Sequence, residues 1–329
     1  MNIIADIISA TILFAIPLLL VALGGMYSER SGIINIALDG IMIIGALLGC
    51  HTLRWLDPAV TAGNLGSQMA VIIAVLVAGV AGIILSLFLA FSAINLKADQ
   101  TIGGTALNTF APAFSIVLTW AIVGQGQTTM TLPTWVRITQ ANFNVEPTNS
   151  FLQNVTFKSL YATHFLCIVL FAVAVILLYK TKFGLRLRAC GEHPQAADSV
   201  GINVYKMRYA GVMISGFLGG VGGMSFVFAV GGFQSEVAGY GFLALAVMIF
   251  GNWKPWSILG AALFFSLFRV IGNYASSIPF MPKMPGVEGV TTYLWPAIPY
   301  IVTIVLLILT SKKSRAPKAE GIPYDKGQR

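Results

Sequence analysis

Two polar side chains, Asn35 and Asp39, stand four residues apart in the otherwise apolar stretch Gly32-Ile33-Ile34-Asn35-Ile36-Ala37-Leu38-Asp39-Gly40. On a helix that spacing stacks them on one face, and an acid at membrane depth costs several kcal/mol unless it meets water or a partner. The face is therefore expected to point inward. It would act either as the lining of a pathway or gate, or as a packing carboxylate paired with Arg30 or a backbone amide. Asn108, after Gly103-Gly104, is a further pathway candidate, with a bridge between helices as the alternative. The chemistry of soluble enzymes has no carrier in this sequence: there is no GxxxxGKS/T phosphate loop, no HExxH and no Cys/His cluster. His51, His164 and His193 lie far apart, the first two at the edges of apolar runs where a half-wet imidazole needs no special task. Cys50, Cys167 and Cys190 have no metal-ligand spacing. A chain of this kind cannot hydrolyse ATP by itself, so any active transport must draw on an ion gradient or a partner.

The second segment of interest is polar, Phe183 to Ile202, and reads FGLRLRACGEHPQAADSVGI. Pro194 fits the first turn of a helix, Ala196 and Ala197 favour its interior, and Gly201 suits a left-handed cap. A short helix is expected to project there, either as an ordinary solvated loop helix or as a compact knob that a partner could push.

The elements that must position these residues are membrane spans. Hydrophobic residues make up 57% of the chain and charged ones 10%, with a mean hydropathy of +0.82. Soluble domains carry about 25% charged residues, so the bilayer is the solvent. Apolar runs long enough for a hydrocarbon core of about 30 Å predict helices near 7–26, 33–53, 68–94, 102–124, 161–179, 208–231, 238–252, 256–275 and 292–310. That makes about nine crossings, within a range of eight to ten. The run 33–53 is glycine-interrupted and 238–252 is short enough to be re-entrant. The net charge of +8 does not point to nucleic acid, because the bases cluster beside apolar spans without interleaved aromatics.

Lys180, Lys182, Arg186, Arg188, Lys206 and Arg208 surround one loop, and Lys312, Lys313, Arg315, Lys318, Lys326 and Arg329 fill the tail. The positive-inside rule places both in the cytoplasm. It predicts an N-terminus outside and a C-terminus inside, with only Arg54 out of pattern. The expected organisation is a permease domain over 1–311, with a cytoplasmic loop at 180–207 and an extracellular loop at 125–160, then a basic tail at 312–329. Spacings such as Gly216/Gly220 and Gly219/Gly223 predict close helix packing. A faint likeness between 32–49 and 238–260 hints at an internal repeat.

Three segments, ERSGIINIALDGIMIIGA at 29–46, GLRLRACGEHPQAADSVGI at 184–202 and GYGFLALAVMIFGNWKPWSILGAALF at 239–264, resemble the permease subunits of ABC importers of the branched-chain amino acid and simple sugar type. With the helix pattern they cover most of the chain. The resemblance implies that 184–202 holds the coupling helix that docks into the ATPase, with Glu192, Pro194, Ala196, Ala197 and Gly201 at the matching positions. The first segment is similar to the nucleoside-importing branch, with Asp39 where that branch more often has Glu. Departures concentrate in 125–160. The implied assembly holds a second, similar permease, cytoplasmic ATP-binding subunits and an extracellular solute-binding protein in a bacterial plasma membrane. This chain would carry no cofactor, the ATP and Mg²⁺ belonging to the ATPases. Import of simple sugars or branched-chain amino acids is the alternative within the family. A gradient-driven transporter would need mid-membrane ionisable groups, for which only Asp39 and Arg269 qualify, and a passive channel would need no docking element.

Overall fold

In a computed structural model of the chain, residues 3–143, 151–274 and 315–327 are described, together with 301, 304, 305 and 308. The chain is an all-α polytopic membrane protein. Its helices are α1 (Ile3–Arg30), α2 (Leu38–Thr61), α3 (Ser67–Ala90), α4 (Gln100–Val123), α5 (Phe151–Phe157), α6 (Ala162–Lys180), α7 (Lys182–Glu192), α8 (Pro194–Ser199), α9 (Val204–Val230), α10 (Tyr240–Phe250) and α11 (Pro255–Tyr274). A π-turn, Phe91–Asn95, extends α3. Among the described residues, α1, α3 with its π-turn, α4, α6, α9 and α11 are the six helices long and apolar enough to cross a membrane. The expected crossing at 292–310 lies outside the described residues but for isolated positions.

Local chemistry sets the helix ends. Asp99 caps α4 by accepting from the amides of Thr101 (2.7 Å) and Ile102 (3.2 Å). Asn203 caps α9 by accepting from Lys206 N (2.9 Å).

The core is built around α9, which packs against α1, α2 and α3. Its glycines permit this: a Cβ on Gly45 would lie 2.5 Å from the Gly220 Cα, and one on Gly216 would lie 2.6 Å from the Gly82 carbonyl oxygen. The expected close packing at Gly216 and Gly220 is what those positions do, since helices in lipid associate through backbone contact where side chains are small. The outer faces of α3, α4 and α6 carry exposed apolar side chains such as Val80, Val117 and Ile168, which suits a lipid-facing surface.

Two of the expected spans differ from the expectation, α2 by a later start and α10 by its length. The run expected to be helical from 33 begins its helix only at Leu38, and α10 has 11 residues. At 1.5 Å per residue α10 covers about 16 Å, roughly half of a bilayer core. It cannot span.

The two ends of the bundle differ. One gathers Arg30, Lys97, Glu192, Trp253 and the segment 315–327 through mutual contacts. At the other, β1 (Thr129–Thr131) pairs antiparallel with β2 (Gly232–Gln234), Trp135 Nε1 donates to Asp57 (2.6 Å), and Lys158 bridges to Asp6 (2.6 Å). The expected Asn/Thr-rich loop at 125–160 contains β1, two 3-10 turns and α5.

Candidate translocation junction and coupling loop

Between α1 and α2 the chain is not helical, yet it lies deep in the bundle. Backbone groups there need partners, because an unsatisfied group in hydrocarbon costs several kcal/mol. Ser28 answers twice: its carbonyl accepts from Ile33 N (3.2 Å) and its hydroxyl donates to Ile33 O (2.7 Å). Gln100 Oε1 accepts from Ile34 N (2.7 Å). Asn108 clamps the entry to α2, its Nδ2 donating to Ile36 O (2.7 Å) and its Oδ1 accepting from Gly40 N (2.8 Å). Gly32 starts the excursion at φ +99°, a conformation open to glycine.

This geometry corrects one expectation. Asn35 precedes the helix, so it and Asp39 do not share a helix face. Asn35 is fully buried and donates from Nδ2 to Ser215 Oγ on α9 (2.8 Å), while its Oδ1 has no hydrogen-bond partner among the described residues. Asp39 points instead at a second interruption. After β2 the chain turns through Ala238 (φ +49°) and Gly239 (φ +70°) into α10. Gly241 N, in the first turn of α10, donates to Asp39 Oδ1 (2.5 Å). A Cβ on Gly241 would lie 2.6 Å from that same oxygen, so only glycine admits the carboxylate. An acid at a helix N-terminus also meets the positive end of the dipole.

The beginnings of α2 and α10 thus meet, and the length of α10 sets their depth. Its far end leads within three residues to Trp253, which donates to Glu29 Oε2 (2.5 Å) at the basic end of the bundle. The junction therefore sits about 16 Å from that end, a distance of roughly half a bilayer core. Around it Tyr240 packs on Phe226 with ring centroids 4.6 Å apart, and the Arg269 guanidinium lies 4.4 Å from the Tyr240 ring centre. Sequence reasoning named Asn35, Asp39 and Asn108 but missed Ser28, Gln100, Ser215 and Gly241. The positive-φ turns Gly32 and Gly239 were the available signal.

At the basic end, the expected short helix is α8, with Pro194 in its first turn and Gly201 at φ +81° just beyond it. The residues before it, expected as loop, form α7, started by Thr181 Oγ1 accepting from Gly184 N (3.1 Å). Glu192 lies 3.7 Å from Arg30, and Arg30 Nη2 donates to Trp253 O (3.1 Å). The two faces of α8 differ. Ala197 is 3% exposed and packs with Cys190, Val204 and Tyr324, whereas Gln195, Ala196, Ser199 and Val200 are exposed. Burial pushes the Cys190 thiol up to about 11, against the pull of the Arg208 guanidinium, which suits a packing role. Among the described residues no group of three or more His, Cys, Asp or Glu could hold a metal ion.

The pattern of the family described as branched-chain amino acid transport system, permease component, matches residues 7–311. The chain is 41% identical over 330 residues to the guanosine ABC transporter permease protein NupQ of Bacillus subtilis, covering 100% of this chain and 99% of that protein. It is 38% identical to the nucleoside ABC transporter permease protein NupC of Lactococcus lactis, covering 99% of each. The nucleoside ABC transporter permease protein NupB of the same organism is 24% identical, over 95% of this chain and 84% of that protein. No solved structure matches.

Proposed function

The chain belongs to the family of branched-chain amino acid transport system permease components, and from that premise we propose that it is the membrane-spanning permease subunit of an ATP-driven importer of nucleosides. The observation that carries this reading is the full-length similarity to proteins named as guanosine and nucleoside ABC transporter permeases. A pathway with few charges agrees with it, because a neutral solute needs no ionic groups while an amino acid needs two.

The proposed topology is about nine crossings in a bacterial plasma membrane, N-terminus outside and C-terminus inside. The bases gathered around Arg30, Lys97, 180–208, Lys254 and the tail support it. This chain makes no bonds; ATP and Mg²⁺ are handled by separate cytoplasmic subunits. It forms half of a pathway with a second, similar permease. The presence of NupB and NupC in one organism supports a non-identical pair. An extracellular binding protein delivers the solute at the end bearing β1 and β2.

Within the pathway we assign the junction of Asn35, Asp39 and Asn108 as the element that changes state. It places non-helical backbone and two helix N-termini at mid-membrane, where irregular backbone is tolerated only if buried in protein or lining a cavity. In the loop we assign α8, with Glu192, Pro194, Ala196, Ala197 and Gly201, as the coupling element. ATP-driven closure of the ATPases would move it, and Arg30, Glu29 and Trp253 would carry that motion to α1 and α10. The test is competition of radiolabelled guanosine uptake by unlabelled nucleosides, sugars and branched-chain amino acids. Inhibition by adenosine and not by leucine or ribose is expected. Inhibition by leucine alone would overturn the assignment.

A further inference from the structure

The sequence suggests a solvated basic tail after the last span, but residues 315–327 lie along the basic end of the bundle as a strap. Arg315 N donates to Asn252 Oδ1 (3.0 Å), Ala319 N to Gly191 O (2.8 Å) and Gly321 N to Gly32 O (3.2 Å). Arg208 Nη1 donates to Ile322 O (3.0 Å), Tyr324 packs edge-on to Tyr205 with centroids 5.4 Å apart, and Asp325 bridges to Lys97 Nζ (2.9 Å). A segment without a helix or strand of its own is thereby fixed to the α1–α2 segment, the α3–α4 loop, α7, α9 and the turn before α11.

The course of the strap brings it alongside α8. Gln195, Ala196 and Ser199 form one wall of a cleft of about 510 Å³, and Tyr324, Asp325 and Lys326 form the other. Tyr324 also lies under α8, in the cluster with Ala197 and Cys190. Outside the membrane spans, the large apolar side chains Val200 (74% exposed) and Ile322 (56% exposed) are left uncovered. Apolar side chains rimmed by charged ones are the make-up of a protein contact surface.

We propose that the strap and α8 together form one docking surface for the ATP-hydrolysing subunit, with Ile322 and Lys326 as contacts and Tyr324 and Asp325 as anchors. This rests on the reading of α8 as the coupling element. The cleft is far smaller than a protein domain, so a domain seated on Ala196 meets the opposite wall as well. The strap then lets the ATPase grip α8 and, through the Gly32 and Gly191 backbone bonds, the start of the junction segment.

The test uses the complete complex purified from native membranes, with its ATPase identified by photolabelling with 8-azido-ATP. Cys50, Cys167 and Cys190 are buried, so the variants Ala196→Cys, Lys326→Cys and Lys158→Cys each add one accessible site in this chain for benzophenone maleimide, with the parent complex labelled in parallel as the blank. Photocrosslinks from positions 196 and 326 to the ATPase, and none from 158, are expected. In parallel, Ile322→Glu/Lys326→Glu should weaken ATPase recruitment to the permease in nanodiscs at least ten-fold while its thermal unfolding is unchanged. A crosslink from 196 without one from 326, or a crosslink from 326 to lipid or to the second permease, refutes the composite surface and leaves the coupling role of α8 standing. Absence of a crosslink from 196 refutes the α8 reading and the strap proposal with it. Loss of recruitment without a 326 crosslink also refutes the strap as a contact.

Discussion

Asn108→Leu separates a side chain that braces the junction from one that touches solute. Leucine has the branched, four-heavy-atom outline of asparagine, with bulkier ends, but neither polar group, so the substitution strands Ile36 O and Gly40 N, which Asn108 binds at 2.7 Å and 2.8 Å. Each buried group left without its partner costs about 1–3 kcal/mol. Two of them give about 2–6 kcal/mol, and the apolar gain of the leucine trims this to about 3 kcal/mol, more than ~100-fold in the folding equilibrium. The assay is SDS-driven unfolding of the purified chain in bicelles, followed by tryptophan fluorescence, with Thr109→Leu as control because Thr109 is exposed and bonds only within its own helix. Hydrogen exchange at Gly40 should accelerate in Asn108→Leu and not in the control. If Asn108→Leu unfolds within about 0.5 kcal/mol of the parent, the size of an ordinary surface effect, the bracing argument is refuted. A stable variant that fails to transport would identify Asn108 as a solute contact instead.

Asp39→Asn keeps an acceptor for Gly241 N and should insert and assemble normally while altering transport, whereas Asp39→Leu strands that amide and should lose about 1–3 kcal/mol of stability; a normal uptake rate in Asp39→Leu would remove the residue from the pathway. Ala196→Glu, on the exposed face of α8, should abolish solute-stimulated ATP hydrolysis with the fold intact. Ala197→Glu, whose site is 3% exposed, should destabilise the seat of α8 by desolvating a charge, which thermal unfolding would detect; the opposite pattern would mean the helix faces the other way. Burial raises the Glu320 carboxyl above its ordinary value, partly offset by its hydrogen bond with Glu29 and by Arg30. A raised acid stabilises the folded state below its unfolded value and loses that contribution as pH rises through the folded value, so trypsin cleavage of the strap, normalised at each pH to cleavage of an unstructured control peptide, should be faster at pH 8 than at pH 5. Glu320→Gln should flatten that difference, and a pH response unchanged by the substitution would refute the assignment.

The fold was legible where one physical rule decided it. Length and apolarity located α1, α3, α4, α6, α9 and α11, because crossing hydrocarbon leaves few alternatives. Pro194 and Gly201 framed α8 because each has a backbone restriction that points one way. The interruption at 31–37 was not legible in outline: Ile33, Ile34 and Ile36 look helical by apolarity, and two of the groups that sustain the break, Gln100 and Asn108, lie far along the chain in α4. Periodicity carries no information about such distant partners. Asn35 and Asp39 were found because polar groups stand out against an apolar run, yet their relation was misjudged by assuming one helix. The inward face of Ala197 was likewise invisible, since the residue beneath it, Tyr324, is more than a hundred positions away. The strap escaped notice because its contacts are mainly backbone bonds and single ion pairs, which leave no compositional trace.

The glycine seam along α9 limits how this bundle can move. Where the Gly45 and Gly220 backbones touch, and where Gly216 meets Gly82, no clearance remains for a helix to creep along its neighbour; a slip of one turn, about 5.4 Å, would bring Met224 to the first place or Val212 to the second, into space that admits only hydrogen. The α1–α2–α3–α9 packing therefore behaves as a keel: it can tilt as a unit but has no gear for sliding. Any switch between outward and inward access must be hinged at its margins, where α10 begins halfway and the non-helical segment before α2 is held by a few backbone and side-chain hydrogen bonds.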